Sequence, residues 1–236
     1  MCTVGAISAR GKVLIFKSFD YPPCSAGWSY LQSFGDGFSK FALVNTSQPG
    51  INSGMNEGGL ALAISRSPLT DEHGDELRTI LNAQILSRCS SIDDAVAAAE
   101  KFAADHPEML AGNLVLADST GICVVEYAKD RVAHFRVHDG YLARANHLVL
   151  LPIGNASEDS LMRQEAMERF LESLYRSAAR LGPSEMVSRG ISVLRSAPIL
   201  NDQTRSSFVI DVVSREIRYI LGSGSLQTFS FRSAGY

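Results

Sequence analysis

The chain has 236 residues, 45% of them hydrophobic and 20% charged, and 22 basic against 25 acidic residues leave a formal net charge of -3. Such proportions fit a single soluble domain over 1–236 and exclude a disordered, collagenous or coiled-coil chain. No apolar run approaches the roughly 20 residues of a membrane-spanning helix, the start lacks a secretory pattern, and no Lys or Arg run is suited to a phosphate backbone, so a cytoplasmic protein with neither membrane nor nucleic acid as partner is expected.

Thr3 to Ser8 and Lys12 to Phe19 read as strands joined by a hairpin at Ala9, Arg10 and Gly11, where glycine tolerates the positive φ of a tight turn. Residues 40–46 and 60–66 are further strand candidates, separated by turn material at Pro49-Gly50 and Gly54 to Gly59. From Asp75 to Ala104 the period becomes helical, with Leu77, Ile80, Leu81 and Ile85, then Ile92, Val96 and Ala99, and Ser90-Ser91 marking a second helix start. Four strands follow at about 112–117, 121–127, 131–137 and 141–145, with tight connections at Asp118 to Gly121, Lys129-Asp130 and Asp139-Gly140. Ser157 to Arg180 and Pro183 to Leu194 are helical, and Ser207 to Val213 with Glu216 to Leu221 form a last hairpin. Strands, helices, strands, helices and strands again predict an α+β class with two antiparallel sheets face to face and helices outside.

Four cysteines, at 2, 24, 89 and 123, form no CxxC and no Cys/His spacing of a metal site, so neither disulfide framework nor zinc is expected. Cys89 and Cys123 read as small buried hydrophobes. Cys2 differs, because trimming of Met1 would give one residue both a thiol and an α-amine. That amine has a reference pKa of about 7.7 and can take the thiol proton itself, with no separate histidine. The five histidines offer no Cys/His signature; only His147, beside Asn146, has a noteworthy neighbour.

Four further strings matter: Phe16-Lys-Ser-Phe-Asp20, Gly54-Met-Asn-Glu-Gly-Gly-Leu60, the Gly112 to Gly121 hairpin with Val124-Val-Glu126, and Ala145-Asn-His147. With Met1-Cys-Thr at the start, they make the chain resemble, over nearly its whole length, N-terminal nucleophile hydrolases of the branch holding choloylglycine hydrolases, penicillin V acylases and the acyl-CoA:6-aminopenicillanic acid acyltransferase. The resemblance implies a four-layer αββα sandwich with Cys2 as nucleophile and Asp20 beside its amine. It puts Asn146 at the active-site asparagine, as a donor to the nucleophile region or the oxyanion. Gln203-Thr-Arg-Ser-Ser207 resembles the Ser-Arg before a late strand, which favours Arg205 as the site arginine over the competing Arg163.

Asn56 and Glu57 read as structural. Lys17 stands where bile-salt hydrolases have arginine and is named for substrate, and Ala63-Ile-Ser-Arg66 lacks their oxyanion asparagine, so a backbone N–H is expected there while Ser65 or Arg66 contacts substrate. Phe19, Tyr21, Trp28, Tyr30 and Phe34 form an aromatic cluster after the motif, read either as a pocket wall for an apolar acyl group or as core, with Tyr21 and Trp28 named for substrate. The implied function is cofactor-free, metal-free hydrolysis of a small-molecule non-peptide amide through a thioester. Acyl transfer to an amine and non-catalytic ligand binding are the alternatives, and a homo-oligomer is compatible with the sequence.

Overall fold

The computed structural model describes residues 2–21, 27–34, 37–45, 50–67, 76–151 and 153–231. Pro22, Pro23, Cys24, Pro49, His73 and the Asp75 helix start lie outside the described residues. The first hairpin joins β1 (Cys2–Ala9) to β2 (Lys12–Asp20) through Arg10 and Gly11, both at positive φ, 52° and 73°. Two consecutive left-handed residues give the turn whose twist matches that of the strands. Every residue of β1 and nearly every one of β2 is buried, since both faces are covered. That is why these strands read as continuous apolar runs and not as alternation.

One antiparallel sheet has six strands in the order β10-β1-β2-β11-β12-β13, with β10 (Gly140–Arg144), β11 (Thr204–Asp211), β12 (Glu216–Leu221) and β13 (Gln227–Ser230). The other runs β3-β4-β5-β6-β7-β8-β9: β3 (Trp28–Ser33), β4 (Lys40–Asn45), β5 (Ser53–Asn56), β6 (Ala61–Arg66), β7 (Gly112–Asp118), β8 (Gly121–Ala128) and β9 (Arg131–Val137). The helices α1 (Leu77–Arg88) and α2 (Ile92–Asp105) cover the seven-stranded sheet, while α3 (Glu158–Ser177) and α4 (Pro183–Leu194) cover the six-stranded one. Alternate residues of β2 divide between the layers: Val13 and Ile15 enter the inter-sheet core, Leu14 and Phe16 the core under α3 and α4. Among the described residues, no helix is long and apolar enough to cross a membrane.

The four helices and the β7–β8 and β8–β9 hairpins lie where periodicity and turn residues place them, with α4 bounded at Pro183 and Leu194. The connection at Asp139-Gly140 is not a hairpin but carries the chain from β9 in one sheet to β10 in the other, where β10 pairs with β1. Three strands depart from the expectation. β5 occupies part of what reads as glycine-rich turn, because Gly54 lets neighbouring β4 approach closely: a Cβ there would stand 2.5 Å from the Phe41 carbonyl oxygen. β3 and β13 are short edge strands with largely exposed C-terminal halves or lengths, so burial leaves no alternating signature in them.

Candidate active site

Cys2 opens β1 and pairs with Phe19 of β2; β11 lies on the other side of β2, pairing Thr204 with Asp20. The end of β10 brings Asn146 to the same place, because β10 flanks β1 with Val4 opposite Arg144. The Cys2 backbone N–H donates to Asn146 Oδ1 at 2.9 Å. Arg163 Nη2 donates to that same oxygen at 3.0 Å, and Asn146 Nδ2 donates to the Arg66 carbonyl at 2.6 Å. Two donors on one side and an acceptor on the other determine which way the amide faces. The oxygen therefore points at the cysteine nitrogen, so that Asn146 orients this nitrogen as an acceptor, while one N–H of its Nδ2 is spent on the Arg66 carbonyl.

Arg163, in the second turn of α3, is completely buried. Its Nη1 donates to the Cys2 carbonyl and to Thr3 Oγ1, both at 3.0 Å, and Asp159 one turn earlier binds its Nε and Nη2 at 3.0 and 2.8 Å. Arg205 is elsewhere. A β-bulge between Thr204 and Ser206 takes it out of the ladder, and its Nη1 donates to the Asp202 carbonyl on a partly exposed strand start. The arginine that the fold brings to Cys2 is thus Arg163, and the preference for Arg205 is corrected.

Asp20 is buried and accepts from Thr204 Oγ1 at 2.8 Å and from Asn201 Nδ2 at 3.0 Å. Burial pushes its carboxyl above the ordinary 3.8, opposed by those two hydrogen bonds and by the Arg163 charge. Asn201 belongs to no short string that marks a site, and Thr204 lies in the Gln203 to Ser207 string from which only Arg205 was singled out, so sequence reasoning missed both. Lys17 is fully enclosed between the sheets with its Nζ donating to the Ile64 carbonyl of β6, so it has no exposed surface for the substrate contact expected from sequence. Desolvation draws it below the ordinary 10.5, while Cys2 and Asp20 act in the opposite sense.

The loop carrying Asn146 is held from behind. Asn113 Nδ2 donates to the carbonyls of Ala145 and His147 and to Ser65 Oγ, which itself donates to the Ala145 carbonyl at 2.6 Å. Ser65 is wholly buried, a loop anchor and not the substrate contact expected from sequence. Ser160, near the start of α3, accepts from the Asn146 N–H and stands 2.8 Å from His147 Nδ1. Burial, then the Arg144 charge, lowers His147 from its ordinary 6.5. The Glu126 carboxylate pairs with Arg144 Nε at 2.8 Å and accepts from the N–H groups of Val149, Leu150 and Leu151. Asn56 and Glu57 are structural, as their motif implies: Asn56 Nδ2 binds the carbonyls of Leu86 and Cys89 at the end of α1, and Glu57 accepts from the Ser39 N–H.

Cys2 packs with Phe19 and Leu43, and with partly buried Tyr21, Trp28 and Tyr30. Phe19 and Trp28 ring centroids are 4.4 Å apart, and Tyr21 stacks on Phe19 at 5.8 Å. An apolar aromatic surface thus adjoins the thiol on one side, with charged and hydrogen-bonding groups on the other. Cys89 is buried against α1 and Cys123 in the sheet, where burial pushes the Cys123 thiol up to about 11.

Residues 8–189 match the model of the family described as acyl-coenzyme A:6-aminopenicillanic acid acyl-transferase. No curated protein matches the chain. Among solved structures, an N-acylethanolamine-hydrolyzing acid amidase ortholog of Caenorhabditis elegans superposes with TM-score 0.66 at 14% identity, over 90% of this chain and 93% of that one. Penicillin V acylase from Agrobacterium tumefaciens gives 0.62 at 15% identity, over 98% and 86%. A mutant conjugated bile acid hydrolase from Clostridium perfringens gives 0.62 at 12%, over 100% and 99%.

Proposed function

Because the chain belongs to the acyl-coenzyme A:6-aminopenicillanic acid acyl-transferase family and has the N-terminal nucleophile hydrolase sandwich, we propose that it is an amidase that cleaves a small-molecule amide through a Cys2 thioester. The observation that carries the reading is the 2.9 Å bond from the Cys2 nitrogen to Asn146 Oδ1, on a residue whose side chain packs against an aromatic cluster. Removal of Met1 turns that nitrogen into an α-amine already held by an acceptor. The amine takes the thiol proton and sulfur attacks the carbonyl carbon, moving the C=O π pair onto oxygen, where main-chain N–H donors stabilise it. As the intermediate collapses, the C–N bond breaks and the α-ammonium protonates the departing amine, leaving a thioester. Water then adds with its proton passing to the α-amine, the C–S bond breaks, and sulfur recovers its proton.

Asp20 supports the α-ammonium by charge, Arg163 fixes the Cys2 carbonyl and Asn146, and Phe19, Tyr21 and Trp28 receive an apolar acyl group. Transfer to an amine in place of water is the second reading, favoured by the family's name. Intact-mass spectrometry after exposure to a phenylacetyl thioester tests both. The expected result is a chain lacking Met1 that carries one acyl group, absent in Cys2→Ala, and that sheds it to water. Faster discharge to an added amine selects acyl transfer, and a retained Met1 with no adduct ends the catalytic reading.

A further inference from the structure

His147 is a buried titratable side chain that the amidase scheme leaves without a task, and it stands one residue from the asparagine that holds the nucleophile's nitrogen. Its carbonyl accepts from Asn113 Nδ2 at 3.1 Å, which fixes the main chain, and its ring Nδ1 lies 2.8 Å from Ser160 Oγ. Ser160, in the first turn of α3, has no exposed surface, and its Oγ also accepts from the Asn146 N–H at 2.8 Å. A hydroxyl has a single proton to give. When a neutral ring keeps its lone pair on Nδ1, Ser160 donates to His147 and its oxygen stays an acceptor for Asn146. A protonated ring carries hydrogen on Nδ1 and donates instead. Ser160 Oγ then faces two donors, and among the described residues its own hydrogen has no second acceptor. A buried polar hydrogen without an acceptor is costly, so protonation presses on the hydroxyl and, through it, on the Asn146 main chain.

We propose that His147, acting through the Ser160 hydroxyl, is a positioning residue that keeps Asn146 Oδ1 on the Cys2 nitrogen while its ring is neutral and loosens that alignment when the ring takes a proton. The inference rests on Cys2 being the nucleophile, and it deepens that reading by giving the site a proton-controlled support that never touches the substrate. The charged groups around the ring come from three elements: Arg144 of β10, Glu126 of β8, and Glu168 and Arg163 of α3. Burial and the two arginines oppose a charge on the ring, and the two carboxylates favour it.

The test is the rate of Cys2 acylation by a phenylacetyl thioester, followed by intact mass on the purified full chain across the pH range in which it stays folded. Removal of one proton to generate the nucleophile gives log rate a slope of one against pH, and a second proton on His147 adds another. Wild type is expected to steepen from one towards two below the ordinary histidine value of 6.5, because the buried ring binds its proton weakly. His147→Asn, whose Oδ1 can accept from Ser160 and does not titrate, is expected to hold a slope of one throughout. His147→Leu offers no acceptor and is expected to run about tenfold or more below His147→Asn at neutral pH, as small misplacements near reacting groups do. If His147→Leu does not fold, Ser160→Ala carries the same comparison. In parallel, heteronuclear NMR of wild type without substrate is expected to show the Asn146 main-chain and side-chain signals shifting with the midpoint of the His147 ring. A wild-type slope of one throughout, equal rates in the two variants, or Asn146 signals that do not follow the ring overturns the proposal. Coupled signals in a chain that takes up no acyl group would end the amidase reading while leaving the link from His147 to Asn146 standing.

Discussion

Replacing Arg163 with methionine removes a guanidinium that is wholly enclosed and hydrogen-bonded at each of its nitrogens. Methionine fills much of the volume, so the cost is polar. Asp159 is 43% exposed on its side chain and regains water when its partner leaves. The Cys2 carbonyl and Thr3 Oγ1 are enclosed and lose a donor, each at about 1–3 kcal/mol, while Asn146 Oδ1 keeps the Cys2 N–H. The guanidinium's own desolvation cost disappears and offsets part of this, leaving a net loss of about 3 kcal/mol, the lower end for breaking a buried charged pair. For a chain of this size 1 kcal/mol moves Tm by about 2–4 °C, so a fall of about 6–12 °C is expected in a calorimetric scan, with a matching drop in urea midpoint at unchanged m-value. Arg205→Ala, which removes a partly exposed side chain bonded to one carbonyl, should stay within about 0.5 kcal/mol. Equal losses in the two variants, or less than about 1 kcal/mol for Arg163→Met, would refute the claim that α3 supplies the arginine that organises Cys2.

Glu126→Gln should destabilise by about 3 kcal/mol in urea titration, because an uncharged amide faces Arg144 and turns one N–H donor towards the N–H groups of the 149–151 loop. Gly190→Ala should cost about 1–3 kcal/mol by the same assay, since its Cβ would stand 2.3 Å from Phe16 Cε1. His147 binds its proton more weakly folded than unfolded, so the unfolded chain takes up protons first as pH falls below the ordinary 6.5. Stability contributed by the neutral ring is therefore present above that pH and lost through the window beneath it. Urea midpoints measured across that window should fall with pH in wild type and lose this component in His147→Gln.

What the sequence makes legible is whatever a local pattern encodes. Arg10 and Gly11 announce a hairpin by turn chemistry, Pro183 opens α4, and the stripe of Leu161, Ala166, Phe170, Leu171 and Leu174 shows which side of α3 is covered, save at Leu161, which is half exposed. The edge strands β3 and β13 carry no such mark, and β5 hides behind the glycine that lets it pair closely with β4. The same limit governs the site. Asn146 stands out beside His147 in a recognisable string, yet which end of its amide faces Cys2 depends on Arg163 and on the Arg66 carbonyl, from α3 and β6. Choosing between two arginines required knowing that one strand begins with a bulge, a property of the pairing of β11 with β2 and not of Arg205 itself. Ser65 looked like a ligand contact because it ends a strand beside the site, but its hydroxyl is committed to the Ala145 carbonyl.

Asn146 joins β1, β6 and α3 through one side chain, while its main-chain N–H is held by Ser160. The segment carrying Asn146 cannot lift away from the nucleophile without breaking bonds to both sheets and a helix at once, so its opening is expected to demand a large share of the unfolding free energy. The Asn146 amide proton should accordingly be among the last to exchange with deuterium, in step with the inner strands. On the aromatic side, β3 is an edge strand whose last three residues are exposed, and its outward amides should exchange early. A site so divided keeps its reacting atoms in fixed register and concedes shape only along the wall that meets the acyl group.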